Sequence, residues 1–89
     1  MSTLTEELVL EKEQVDTEKK IILYNDDVNT FNHVINCLIS YCDHSQTQAN
    51  QCAMIIHNNG KIDVKRGDYD TLEPICTALT DHGLSANIE

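Results

Sequence analysis

The sequence predicts an α+β domain in which a three-stranded antiparallel sheet packs on three helices in the order β-α-α-β-α-β. Short apolar runs typical of strands alternate with longer segments whose apolar residues recur every three or four positions, as in amphipathic helices. Asn, Asp and Gly residues separate these segments and indicate turns. With 89 residues, 40% of them hydrophobic and none of them Trp, the chain suffices for one small, mainly aliphatic core.

The first 18 residues differ in composition from the rest of the chain. They carry six acidic residues and one lysine, with scattered apolar positions between them. Such a segment buries too little apolar area to offset the entropy lost on ordering. We therefore expect residues 1–18 to form a flexible acidic tail and residues 19–89 to form the folded domain.

The first strand is predicted over residues 20–24, because its three central residues are consecutively apolar, as in a strand buried within a sheet. A polar turn at residues 25–29 then leads into the first helix. Asn29 or Thr30 can cap this helix. Its apolar positions follow the helical repeat: Phe31, Val34, Ile35, Leu38 and Cys42.

The second helix is predicted to begin after Ser45, because the segment from Ser45 to Gln48 matches a capping box. Gly60 can adopt the left-handed backbone that ends a helix. The second strand follows at residues 61–65, in which apolar and polar residues alternate.

The third helix is predicted to begin between Asp70 and Leu72, because proline is tolerated in the first turn of a helix and Pro74 would then lie there. Gly83 ends this helix, and residues 84–88 form a last short strand. The three helices are expected to cover one side of the sheet.

The formal net charge of −9 restricts the possible partners. Nucleic-acid binding requires a basic surface, so this charge argues against it, whereas a cationic ligand is compatible. No apolar run approaches the roughly 20 residues of a membrane span, and the N-terminus lacks the basic and apolar regions of a secretory signal. We therefore expect a cytoplasmic protein whose four cysteines are free thiols.

Asn25, Asp26 and Asp27 follow the first strand directly and allow two interpretations. Asn and Asp are ordinary turn formers, and carboxylates complement the positive end of a helix. Alternatively, two carboxylates at this place reverse the local potential and create a site for a cation. His57, near the end of the second helix, can approach the same edge of the sheet, and a neutral imidazole offers the acceptor that a bound ammonium requires.

Cysteine and histidine residues suggest two further hypotheses. Metal binding is one. Four residues separate Cys37 from Cys42 and Cys52 from His57, whereas structural zinc sites usually use tighter spacings. The candidate ligands are Cys37, Cys42, His44, Cys52 and His57. A Cys–His nucleophile is the other, but no local signature singles out one cysteine.

Most of the cysteines are explained more simply by packing. Cys42, Cys52 and Cys76 fall within the apolar stripes of three different helices, and Cys37 flanks a stripe. The remaining histidines have no evident partner in the sequence and are expected to be polar residues of helix faces or helix ends: His33, His44 and His82.

The sequence Tyr-Asn-Asp-Asp-Val-Asn-Thr-Phe at residues 24–31, followed by the stripe of the first helix, resembles the ClpS family of bacterial Clp protease adaptors. Gln51, His57, Gly60 and Lys61 extend the resemblance, which covers residues 20–89 in the same element order. The asparagine and the two aspartates, paired with a histidine of the second helix at this separation, form a fairly specific pattern.

The resemblance implies an adaptor without enzymatic activity and without a cofactor or metal. Such a protein binds the free α-amino group and the bulky hydrophobic first side chain of N-degron substrates. It delivers them to a hexameric Clp ATPase of the ClpA or ClpC type for degradation, and a monomer is expected. A small Cys/His metal-binding interaction module is the alternative hypothesis.

Carried over by position, the α-amino group would be held by Asn25, Asp27 and His57, with Asp26 shaping the loop beside them. The first side chain would enter a pocket lined by six residues: Asn29, Phe31, Val34, Ala53, Ile56 and Leu84. Phe31 and Ala53 stand where the family commonly has Met, and Asn29 stands where Thr or Ser is common. We therefore expect an enlarged pocket that also accepts the β-branched residues Ile and Val.

Overall fold

The computed structural model describes residues 18–89, so the predicted tail at residues 1–18 lies outside the described residues except for its last position. The predicted fold class and element order are confirmed. None of the described helices is long and apolar enough to cross a membrane. Six elements follow one another along the chain: β1 (Lys19–Tyr24), α1 (Phe31–Cys42), α2 (Gln46–Asn59), β2 (Lys61–Gly67), α3 (Tyr69–Asp81) and β3 (Ser85–Ile88).

The sheet has the strand order β2-β1-β3, and both neighbours pair with β1 in antiparallel orientation. The apolar run in β1 is explained by this central position, which buries Ile21, Ile22 and Leu23. Between β1 and β2 the register slips by one residue: Ile21 pairs with Lys65 and the next residue pairs with Asp63. The intervening residue of β2 therefore forms a bulge, which bends the strand.

One hydrophobic core joins the sheet to all three helices. Its largest fully buried side chains come from β1, α1 and α3, whereas α2 contributes the buried side chains of Ala49 and Ile56. The largest fully buried side chains are Ile21, Leu23, Leu38, Leu72, Leu79 and Cys42. Burial raises the pKa of the Cys42 thiol to about 11. Cys37, predicted to flank the stripe of α1, is in fact buried within the core.

The helix ends follow the capping residues of the sequence. Thr30, rather than Asn29, caps α1, and its hydroxyl accepts the His33 backbone N–H at 3.2 Å. Ser45 begins α2 with the predicted capping box. Gly60 ends α2 with a left-handed backbone at φ 93°.

The predicted start of α3 is wrong by at least one residue. The helix begins at Tyr69, so Pro74 occupies its sixth position and lies in the second turn. Proline lacks the N–H that would bond the carbonyl of Asp70 four residues earlier. Asp70 is exposed, and water can therefore satisfy that carbonyl. Water can thus replace the hydrogen bond that proline removes.

Candidate binding site

A cavity of about 360 Å³ opens where the end of β1, the start of α1, the end of α2 and the start of β3 meet. This volume lies at the lower end of the range of small-ligand pockets. The ten residues predicted to bind the α-amino group or to form the pocket all lie in its lining: Asn25, Asp26, Asp27, Asn29, Phe31, Val34, Ala53, Ile56, His57 and Leu84. The structure therefore brings together residues that lie as far as 59 positions apart, from Asn25 to Leu84.

The deep part of the cavity is apolar. Ala53 and Ile56 present one face of α2 to it, and Leu84 closes it from the turn before β3; all three side chains are buried. Val34, one turn into α1, adds a half-buried side chain. A hydrophobic side chain entering this space would be removed from water.

Phe31 stands at the mouth of the cavity with 45% of its surface exposed. Its ring centroid lies 5.5 Å from that of His57, and the two rings are tilted by 60°. This distance and tilt are typical of favourable aromatic pairs. The contact joins the first residue of α1 to the last turn of α2 across the opening.

The carboxylate of Asp26 organises the loop between β1 and α1. Its Oδ1 accepts the backbone N–H groups of Val28 at 3.0 Å and Asn29 at 2.9 Å, and its Oδ2 accepts Asn29 Nδ2 at 2.8 Å. The hydrogen bond from the Asn29 backbone is the main reason why the pKa of Asp26 lies below its usual value. The Asp26 carboxylate thus chiefly stabilises the loop between β1 and α1.

Asn25, Asp27 and His57 differ from Asp26 in this respect. All three are exposed, and their side chains make no hydrogen bond to other residues of the described range 18–89. The Asn25 backbone N–H donates to the Gly60 carbonyl at 2.8 Å, which ties the end of β1 to the end of α2. This bond holds Asn25 close to the helix turn that carries His57.

The electrostatics of the cavity favour a cation at its mouth. Of the twelve described residues that line it, two are aspartates and none is lysine or arginine. Carboxylate oxygens, the amide oxygen and the neutral imidazole nitrogen are all hydrogen-bond acceptors. The site therefore combines acceptors for a positively charged donor with an apolar hollow beside them.

Two lining residues were not identified from the sequence. Leu23 and Tyr24, the last residues of β1, also border the cavity. Tyr24 directly precedes Asn25, so its position beside the predicted site could have been inferred from the sequence. Its hydroxyl donates to the carboxylate of Glu89, and this hydrogen bond raises the pKa of Tyr24.

The sequence indicated no partner for three of the histidines, and the structure gives each of them a hydrogen bond. His33 Nε2 lies 2.8 Å from the His82 carbonyl oxygen, and Tyr41 Oη lies 3.0 Å from His82 Nε2. His44 Nε2 lies 2.7 Å from the carbonyl oxygen of Val64, the bulged residue of β2. Since a carbonyl only accepts, the ring nitrogens of His33 and His44 donate these bonds.

The candidate metal ligands are divided between different parts of the fold. Cys42, His44 and Cys52 border a second, more open cavity of about 420 Å³, whereas His57 belongs to the first. Within residues 18–89, no three Cys, His, Asp or Glu side chains are placed to share a metal ion.

The Cys–His nucleophile hypothesis has two geometric candidates within residues 18–89. Cys37 Sγ lies 3.8 Å from His33 Nε2, and Cys52 Sγ lies 3.9 Å from His44 Nδ1. However, burial raises the pKa of both thiols, and nearby Asp63 raises the pKa of Cys52 further, which disfavours the thiolate that a nucleophile requires.

Each comparison with known proteins found ClpS proteins. A family model described as "ATP-dependent Clp protease adaptor protein ClpS" matches residues 14–87. A ClpS adapter protein of Synechococcus elongatus is 33% identical over 79 residues, which are 88% of this chain and 83% of that protein. A solved structure of Agrobacterium tumefaciens ClpS2 bound to L-phenylalaninamide matches with a TM-score of 0.78 at 24% identity, over 82% of this chain and 95% of that one. The solved structure shows a shared fold.

Proposed function

The chain belongs to the ClpS family of Clp protease adaptor proteins, and from this premise we propose that it recognises the N-terminal residue of substrates bound for degradation. In this proposal the cavity takes the first side chain, and the polar groups at its mouth take the free α-amino group. The observation that carries it is the adjacency of exposed acceptors and an apolar hollow in one cavity. L-phenylalaninamide, bound in the structure of A. tumefaciens ClpS2, combines a free amino group with an aromatic side chain.

Asn25, Asp27 and His57 are the proposed ligands of the ammonium group. An α-ammonium carries three donors and one positive charge, which suit an amide oxygen, a carboxylate and a neutral imidazole. Because these side chains are exposed at the mouth, they are accessible to a chain end. Asp26 supports the site indirectly by holding the loop that carries two of them.

The apolar lining is the proposed socket for the first side chain. Burying a side chain the size of Leu or Phe contributes about 1.5–3 kcal/mol. Each hydrogen bond to the charged amino group contributes roughly 1.5–3 kcal/mol. One buried side chain and three such hydrogen bonds contribute roughly 6–12 kcal/mol in all, so an association cost of at least about 4 kcal/mol leaves micromolar affinity for a short peptide as the upper limit. Neither part reaches that affinity alone.

Delivery to the protease follows in the same proposal. Residues 19–89 would act as the adaptor core, as a cytoplasmic monomer and without chemistry of their own. The partner would be a hexameric Clp ATPase of the ClpA or ClpC type, which unfolds the bound substrate. In the family, docking uses basic character near the start of the last helix, whereas this chain has acidic residues around Pro74, so a rearranged docking contact is expected.

The test is a fluorescence binding titration with peptides that differ only at the first residue or its amino group. We expect peptides that begin with Leu or Phe to bind, and their N-acetylated forms to lose binding, because acetylation removes both the charge and the donors. Peptides that begin with Ile or Val extend the series to β-branched residues, which the small side chain of Ala53 is expected to admit. Equal binding of free and acetylated peptides would refute the proposal. If Ile and Val bind at least about a hundredfold (roughly 2.7 kcal/mol) more weakly than Leu, the enlargement hypothesis fails.

The metal-binding alternative has a separate test. Elemental analysis of the purified protein measures bound zinc, and melting curves with and without a chelator measure its effect on stability. A stoichiometric metal and a loss of the melting transition in chelator would favour that alternative. The adaptor proposal expects the same melting temperature in both conditions.

A further inference from the structure

The turn between α3 and β3 forms a wall of the cavity and is tied to α1. Leu84, which lines the cavity, directly follows His82 and Gly83 in this turn. The His33 side chain of α1 donates from Nε2 to the His82 carbonyl at 2.8 Å. The His33 side chain does not line the cavity, and its hydrogen bond instead contacts the turn that carries Leu84.

Asn29 provides a second tether one residue further along the turn. Its Nδ2 group donates to the Gly83 carbonyl at 2.8 Å and to the Asp26 carboxylate at 2.8 Å. Gly83 has the left-handed backbone, at φ 87°, that reverses the chain before Leu84. Two successive carbonyls of the turn are therefore held by two different side chains, one from the loop and one from α1.

We propose that His33 is a positioning residue for substrate selectivity: its hydrogen bond to the turn holds Leu84 at the depth that decides which first side chains the cavity accepts. This inference rests on the binding function proposed above. A hydrogen bond between neutral groups corresponds to roughly a two- to tenfold change in an equilibrium constant. Without that hydrogen bond, Leu84 could shift to fit first side chains of different shape, and the cavity would discriminate less between them.

The side chain of His33 can be changed without removing the cap of α1. The bond from Thr30 to His33 uses the backbone N–H of His33, which any residue except proline retains. His33→Leu keeps an apolar volume and removes the donor. His33→Gln keeps an N–H donor without the ring. Asn32→Ala, at an exposed position of the same helix, is the matched control.

The binding experiment compares these variants with peptides that begin with Leu, Phe or Ile. In His33→Leu the ratio of the weakest to the tightest Kd is expected to fall by roughly two- to tenfold. His33→Gln should restore the original ratio, and Asn32→Ala should keep it. A purely structural role would weaken all three peptides by one factor and leave the ratio unchanged, and that result would overturn the inference.

Hydrogen exchange at Leu84 tests the positioning step without any peptide. The Leu84 amide donates to the Leu79 carbonyl at 3.1 Å, so its exchange rate reports on the turn. We expect faster exchange in His33→Leu and the wild-type rate in the other two variants. If the wild-type protein binds none of the peptides, the binding function fails, while unchanged exchange in His33→Leu refutes the positioning role itself.

Discussion

Asp26 and Asp27 are neighbours in one turn, yet their surroundings give them different roles. Asp26 accepts three hydrogen bonds of 3.0 Å or less from Val28 and Asn29, and its pKa is lowered chiefly by the backbone bond from Asn29. Asp27 is exposed, and its side chain makes no such bond within residues 18–89. The first carboxylate therefore stabilises the loop, and the second is available to a ligand.

Substitution of each aspartate by asparagine separates these roles. Asp27→Asn should weaken binding of a Leu-initiated peptide by roughly tenfold, because the amide keeps an acceptor oxygen but loses the negative charge that strengthens the hydrogen bond to the ammonium. Its melting temperature should match that of the wild type, since the side chain has no internal partner to lose. Asp26→Asn should lower both the melting temperature and the affinity. Wild-type affinity in Asp27→Asn would exclude this carboxylate from the amine site.

The stability effect of Asp26 should depend on pH with a definite sign. Because its folded pKa is lowered, the charged form stabilises the fold at any pH above the ordinary Asp value of about 3.9. This stabilisation is lost as pH falls through the lowered pKa. The difference in unfolding free energy between wild type and Asp26→Asn is therefore complete above about pH 5 and shrinks at lower pH.

At the scale of elements, the end of α2 is both a helix cap and a structural part of the site. Gly60 has a left-handed backbone at φ 93°, and its carbonyl accepts the Asn25 N–H at 2.8 Å. The residue that ends the helix thus also ties it to β1. This junction brings a histidine of the helix and an asparagine of the loop to one edge of the sheet.

Gly60→Ala should lower the free energy of unfolding by about 1–2 kcal/mol, the usual cost of a left-handed backbone for an L-residue. The cost is conformational, because a Cβ at this position would have no heavy atom within 4 Å. A shift of the melting temperature by roughly 4–8 °C per kcal/mol is expected for a domain of this size.

Gly67→Ala is the matched control for that change. Gly67 lies in β2 without a left-handed backbone, and an added Cβ would meet Leu72 at 3.7 Å, an ordinary contact. Thermal unfolding of the two variants should therefore differ clearly. An equal effect of both substitutions would show that the backbone of Gly60 carries no special cost.

At the scale of the whole molecule, the net charge of −9 sets a potential that attracts cations and repels anions. The proposed amine site lies within this field, and the two aspartates of the cavity add to it. Free peptides lose the positive charge of their α-amino group above about pH 8.

Affinity for a Leu-initiated peptide is therefore expected to fall as pH rises above about 8, because the α-amino group of the peptide loses its charge. Binding titrations from about pH 7 to 10 measure this profile. An N-acetylated peptide supplies the control, because it has no amine to deprotonate and should bind weakly at every pH. A flat wild-type profile would contradict recognition of a charged amine.

The elements and their order could be predicted because their signals are local. The apolar repeat of α1, the capping box at Ser45 and the glycine at the end of α2 each act within a few residues. The polar turn at residues 25–27 and His57 could be predicted as a candidate site from residue type and position, whereas the six pocket residues came only from the family resemblance. The structure places all ten in one lining. Local pattern alone left the two interpretations of the aspartate turn open.

Tertiary structure decided what each of these groups contacts. Asn29 reaches Gly83 and His33 reaches His82 across 54 and 49 positions, separations over which residue spacing carries no information. The second-turn position of Pro74 likewise depends on whether water reaches one carbonyl, which only burial determines. The sequence by itself determined where helices and strands form, because hydrogen bonds within a helix and caps at its ends are short in range. The fold decided which polar groups have internal partners and which are left for a ligand, because that depends on contacts between distant parts of the chain.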